Sequence, residues 1–167
     1  EADKLIGKLR RLSREELMDL MHINPKLAEL NYARYHEWSK EYTKENSRQA
    51  ILAFNGEVYN GLKARELDED TLAYAQNHVR ILSGLYGILR PLDRIQAYRL
   101  EMGTPLEIGK YENLYKFWGN RILKHLNELY DEGKSSLINL ASNEYAKAAR
   151  LTQYKGKIIT PVFKQLK

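Results

Sequence analysis

The stretch from His78 to Met102, HVRILSGLYGILRPLDRIQAYRLEM, decides how this chain is read. An apolar-periodic segment runs into Gly84 and Gly87, and Pro91 follows four residues later. Glycine ends helices, and proline is tolerated in a helix only at its first turn. The stretch therefore predicts a helix from Asp68 or Asp70 to about Ser83, a hairpin, and a second short helix over 91–95. That is the shape of a helix-hairpin-helix over residues 82–94. Glycines without Cβ atoms let a backbone approach a phosphate closely. The amides opening the next helix then point at the anion. Arg80, Arg90 and Arg94 would ring that corner, Ser83, Gly84, Leu85 and Gly87 would form it, and Tyr86 would stand at its tip. The plainer reading is a glycine helix stop followed by a tight turn.

Working towards the N-terminus, residues 2–12 carry Leu5, Ile6, Leu9 and Leu12 on one helical stripe. Ser13 with Glu16 forms a capping-box pattern for a helix over 14–21. Asn24 before Pro25 opens a third helix to about Trp38. A short helix is expected from Thr43 or Glu45. The apolar run AILAF over 50–54 reads as a buried strand, ended by the turn signal Asn55-Gly56. Towards the C-terminus, 97–102 reads as a strand and Asn113 as the cap of one long helix over 114–130, with Gly133 ending it. Strands are expected over 136–141 and 157–163, with Pro161 disturbing the second, and Ser142 is expected to cap a helix between them. Helices alternating with short strands give a mixed α/β (α+β-like) class, with helices around a small central sheet. The 167 residues suit one domain, 1–167.

Composition narrows the function. With no cysteine there can be no disulfide, thiolate metal site or cysteine nucleophile, and a reducing, cytoplasmic setting fits. No apolar run approaches a membrane span, so no membrane contact is expected. His22, His36, His78 and His125 have no two-histidine metal spacing, and no Walker A or dinucleotide fingerprint occurs. Neither metal nor cofactor is therefore expected, and no obligate protein partner. The net charge is +5, with a pI of about 9.2. From Lys134 onward there are Lys134, Lys147, Arg150, Lys155, Lys157, Lys164 and Lys167 against one acid, Glu144. A basic end favours phosphates.

A second cluster, Arg90, Asp93, Tyr98, Arg99 and Glu101, has the residue types of a catalytic cleft, although such groups more often pair with each other. Asn139 and Ser142 stand where a strand feeds a helix, a frequent ligand position. The alternative to nucleic-acid binding is therefore an enzyme whose cleft, formed by Asp93, Tyr98, Arg99, Glu101, Asn139 and Ser142 beside Arg90, takes a nucleotide-like or other anionic small molecule. Ser142 lacks the flanking glycines of a nucleophile elbow.

Ordered blocks along the chain resemble one family. They are RQAILAF (48–54), GEVY (56–59), RILSGLYG (80–87), LRPLD (89–93), YRLEMG (98–103), FWG (117–119) and INLAS (138–142). In this order they are similar to the peroxide-stress YaaA family. The resemblance implies a helix-hairpin-helix, a positively charged cleft, and binding of double-stranded DNA, including DNA with non-duplex features. It also implies a role in limiting hydrogen peroxide damage, associated with lowered intracellular free iron. The family pattern further implies an N-terminal strand with a Ser-Pro-Ala-Lys segment and a basic C-terminal Lys-Lys-Ala-Arg-Gly segment. Neither occurs in this sequence, which opens on Glu1 without Met.

Overall fold

The computed structural model describes residues 1–163. Three helices open the chain: α1 (Ala2–Leu9), α2 (Arg14–Met21) and α3 (Pro25–Glu37). Local chemistry fixes their starts. Glu16 N donates to Ser13 Oγ at 3.2 Å, and the Glu16 carboxylate accepts from Ser13 N at 2.7 Å. Asn24 Oδ1 accepts from Leu27 N at 2.9 Å. The end of α3 is held by Arg10, whose guanidinium donates to the carbonyls of Tyr35, His36 and Trp38.

The middle of the chain departs from the sequence reading. The AILAF run is a short helix, α4 (Ala50–Ala53), preceded by β1 (Arg48–Gln49). Ala50 N and Ile51 N donate to Asp93 O and Pro91 O at 2.8 and 2.9 Å, so tertiary partners replace a ladder. After it come α5 (Glu57–Leu62), a 3-10 turn (Ala64–Glu66) and α6 (Glu69–His78). Thr43 Oγ1 and Asn46 close a turn, not a helix.

The glycine stretch is not a helix-hairpin-helix. It is a β-hairpin, β2 (Ile81–Ser83) antiparallel to β3 (Gly87–Leu89), with Ser83 opposite Gly87. Residues 91–92 form a turn before β4 (Arg94–Ile95), which pairs antiparallel with β1. Residues 97–101 belong to no strand, and Met102 lies in a turn with Gly103. The long C-terminal helix is broken into α7 (Leu114–Trp118) and α8 (Arg121–Glu128) at Gly119, whose φ of 53° takes it out of the helix. Then β5 (Ser136–Ile138), α9 (Asn143–Ala148), a 3-10 turn (Leu151–Gln153) and β6 (Lys157–Ile159) make a strand–helix–strand unit with parallel strands. The class is mixed α and β, but among the described residues there is no single central sheet. The strands form three separate two-stranded ladders.

Two apolar clusters hold these pieces. The larger joins α1–α3 (Leu5, Leu9, Leu17, Tyr35) to the C-terminal half (Met102, Leu114, Phe117, Ile122, Ala148). The smaller joins α4 to the hairpin and β4 through Ile51, Ile81, Leu89 and Ile95. Tyr86 and Tyr98 pack against both. Among the described residues no helix is long and apolar enough to cross a membrane.

Candidate nucleic-acid interface

The hairpin corner is enclosed. Ser83, Gly84, Leu85 and Gly87 are buried and Tyr86 is half-buried. Trp118 Nε1 donates to Gly84 O at 2.9 Å. A Cβ on Gly84 would collide with the Leu100 carbonyl, and one on Gly87 would lie 2.6 Å from the Trp118 ring. The glycines therefore serve close packing with Leu100 and Trp118, and their backbone is not offered to a phosphate. Tyr86 is no tip residue: its hydroxyl accepts from Trp38 Nε1 and Gln96 N, each at 3.1 Å.

The arginines around the corner are occupied as well. Arg80 Nη1 donates to the carbonyls of Gln76, Asn77 and Val79, closing the end of α6. Its Nε is buried without a partner. Burial pulls its pKa down; the Arg90 charge adds to that and Asp93 opposes it. Arg94 donates to Ser47 Oγ, Ser47 O and Thr43 O at 2.9, 2.6 and 2.8 Å. Arg90 grips Asp93 at 3.0 and 3.1 Å, and Arg90 N donates to the same carboxylate at 2.8 Å. Guanidinium forks satisfied by carbonyls and a carboxylate hold loops in place.

The second cluster is divided among separate hydrogen-bonded pairs. Arg99 pairs with Glu101 at 2.7 Å on the exposed side of the segment, whose Leu100 and Met102 are buried. Tyr98 turns the other way, its hydroxyl 2.5 Å from Ser83 Oγ, and burial raises its pKa. Asn139 Oδ1 accepts from Ala141 N at 3.1 Å, while Ser142 precedes α9 without a capping bond from its side chain. Arg90 with Asp93, Arg99 with Glu101 and Tyr98 with Ser83 thus bond in pairs, while the Asn139 amide NH2 and the Ser142 side chain stay outside them.

The β5–α9–β6 unit has an excess of bases over acids. Lys147, Arg150, Lys155 and Lys157 form no ion pair among the described residues. The unit's acid, Glu144, accepts from Gly103 N at 2.5 Å through its carboxylate. Lys134 is paired with Asp131, and Lys164 and Lys167 lie outside the described residues. The Lys147 ammonium lies 4.8 Å from the Tyr115 ring centroid. Tyr145, on the same helix, has its pKa pushed up to about 12 by burial and by the Glu144 charge. A groove of about 490 Å³ opens between α9, the following 3-10 turn and the strand ends. Sequence reading registered Lys147 and Arg150 only as charge, and missed Thr152, Gln153, Ile158 and Thr160 in the same groove. The signal for them was the strand–helix–strand pattern over 136–159. Among the described residues no group of three or more His, Asp or Glu could hold a metal ion.

These features define a mixed α and β protein whose C-terminal strand–helix–strand unit carries four cations outside any ion pair among the described residues. The chain belongs to the family described as peroxide stress protein YaaA, whose sequence profile matches residues 1–167. It is 52% identical over 167 residues to a UPF0246 protein of Cupriavidus metallidurans, covering 98% of this chain and 64% of that protein. A UPF0246 protein of Aromatoleum aromaticum is 52% identical over 172 residues, covering 100% of this chain and 66% of its own length. One of Psychromonas ingrahamii is 50% identical over 168 residues, with 100% and 65% covered. The chain thus spans just under two thirds of the length of these curated relatives.

Proposed function

We propose that this chain binds double-stranded DNA through the β5–α9–β6 face, as part of a cytoplasmic response to hydrogen peroxide. The family supports the peroxide role. The observation that carries DNA binding is the set of four cations, Lys147, Arg150, Lys155 and Lys157, on one unit whose acid is engaged elsewhere. Phosphate contacts of this kind position a protein on a duplex without reading sequence. The cellular consequence belongs to the same proposal: less DNA damage under peroxide, together with lower free iron. The hairpin corner has no part in it.

The test is a duplex titration at several salt concentrations. Four phosphate contacts give a log–log salt slope of about −3.6. Lys155→Ala and Lys157→Ala should each reduce that slope by about 1 and weaken unrelated sequences equally. A slope near zero, or full affinity in the double variant, overturns the proposal.

A further inference from the structure

Because β5 and β6 are parallel, their carboxyl ends lie side by side, and Asn139 N closes the ladder on Ile159 O at 2.8 Å. The groove lies between this ladder, at Asn139, Ile158 and Thr160, and the end of α9 with the 3-10 turn after it. A volume of about 490 Å³ falls within the range of small-molecule sites.

Three chemistries meet there. Leu151 and Ile158 are half-buried and make an apolar floor. Asn139, whose Oδ1 is engaged with Ala141 N, keeps its amide NH2 as a donor, and Gln153 and Thr160 add polar groups. Lys147 and Arg150 bring positive charge. Arg150 is also one of three described non-glycine residues with positive φ, at φ 51° and ψ 43°. It is held there by Arg150 N donating to Lys147 O and Gln153 N donating to Arg150 O, at 3.1 and 2.8 Å. This is the left-handed stop that ends α9, as His22 and Lys63 end α2 and α5, and it starts the chain into the 3-10 turn beside the groove.

We propose that this groove binds a free nucleoside 5′-monophosphate. The flat base rests on Leu151 and Ile158, its edge meets the side-chain amides of Asn139 and Gln153, and the phosphate meets Arg150 and Lys147. A bare phosphate would leave the apolar floor uncovered, and an apolar ligand would leave both cations unused. The site goes beyond DNA binding and stands apart from it, although Lys147 and Arg150 are shared, so duplex DNA and the nucleotide should compete.

The test titrates adenosine 5′-monophosphate, adenosine and inorganic phosphate by calorimetry. The nucleotide should bind at least about tenfold more tightly than either part, since only it engages floor and cations together. Arg150→Gly should weaken the nucleotide by about tenfold or more with a thermal midpoint at or above the parent's, because glycine is at ease in left-handed backbone. Ala146→Leu, which narrows the groove, should weaken the nucleotide and leave duplex affinity alone. Nucleotide binding no tighter than phosphate, or undiminished in the folded Arg150→Gly and Ala146→Leu proteins, overturns the site. Duplex binding without a nucleotide site would refute the groove alone. Nucleotide binding that depends on Arg150, without any duplex binding, would refute the DNA reading alone.

Discussion

Gly84→Ala separates a packing role from a phosphate seat at the hairpin. The added Cβ would fall well inside contact distance of the Leu100 carbonyl oxygen, with Leu100 C at 3.0 Å and Glu101 C at 3.1 Å. All three atoms are backbone, so no rotamer change relieves the clash. Overpacking a buried site costs about 1–3 kcal/mol. Moving the hairpin away also stretches the Trp118 Nε1 bond to Gly84 O, worth about 1 kcal/mol. A loss of about 3 kcal/mol follows, which lowers the midpoint of a chain of this size by roughly 6–12 °C. Thermal and urea unfolding followed by circular dichroism reads this directly. Gly7→Ala is the control: Gly7 lies in α1, and a Cβ added there meets nothing within 4 Å, so the change should stabilise by about 0.5–1 kcal/mol. Duplex affinity of Gly84→Ala, measured below its midpoint, should equal the parent's. A Gly84→Ala protein as stable as the parent, or a folded one that loses duplex affinity, refutes the packing argument.

Ser83→Ala removes the acceptor of Tyr86 N at 2.9 Å and the partner of the Tyr98 hydroxyl; a loss of about 1–3 kcal/mol in urea unfolding is expected, and a neutral result would deny that the hydroxyl is needed. Alkaline pH should unfold the protein through its tyrosines. Tyr145 is raised to about 12, and Tyr35, Tyr59 and Tyr98 are raised chiefly by burial. Phenols whose folded pKa is raised give stability that is complete below the unfolded pKa of about 10 and is lost as pH climbs towards the folded values. Urea midpoints should therefore hold near neutrality and fall from about pH 10 upward, in step with tyrosinate absorbance; a flat profile through that range would show that these rings ionise freely. Arg94→Lys should cost about 1.5–3 kcal/mol, because an ammonium cannot reproduce the fork across Ser47 and Thr43. Lys155→Arg should leave both stability and duplex affinity unchanged, and any sizeable loss would show that Lys155 has a structural partner.

What was legible in the sequence was local. Ser13 with Glu16, and Asn24 before Pro25, determine helix starts within four residues, and both starts form as read. The hairpin was not legible, because ILSGLYGIL fits either element and strands of three residues carry no usable period. The choice is made by Leu100 and Trp118, which lie far along the chain and close over the two glycines. AILAF failed for a related reason: a short apolar run is ambiguous, and carbonyls of Pro91 and Asp93 receive its first amides. The break at Gly119 separates two segments whose combined pattern reads as one helix. At the candidate interface, the excess of bases was visible as composition. The groove was not, because it exists only once β5 and β6 lie parallel.

Charge counted along a sequence and charge available at a surface differ in this protein, and the difference lies in the donors. Arg10, Arg80, Arg90 and Arg94 all sit in stretches that look basic, yet their guanidinium groups donate to carbonyls, a hydroxyl or a carboxylate of the same chain. A cation so engaged contributes little to a ligand unless the loop it holds is released. Lys155 and Lys157 have no ion-pair partner among the described residues, and both are exposed. Lysine is a compact, hydrated point charge that reaches a phosphate without a planar fit. Arg10 and Arg94 hold loops whose carbonyls take several donors at once, whereas Lys155 and Lys157 leave their charge at the surface. Arg150 is the exception, since its guanidinium makes no bond to the described protein while its backbone is held in the left-handed region at the mouth of a groove. That conformation ends α9, as it ends α2 at His22 and α5 at Lys63, so what sets Arg150 apart is the unengaged guanidinium at the groove and not the backbone.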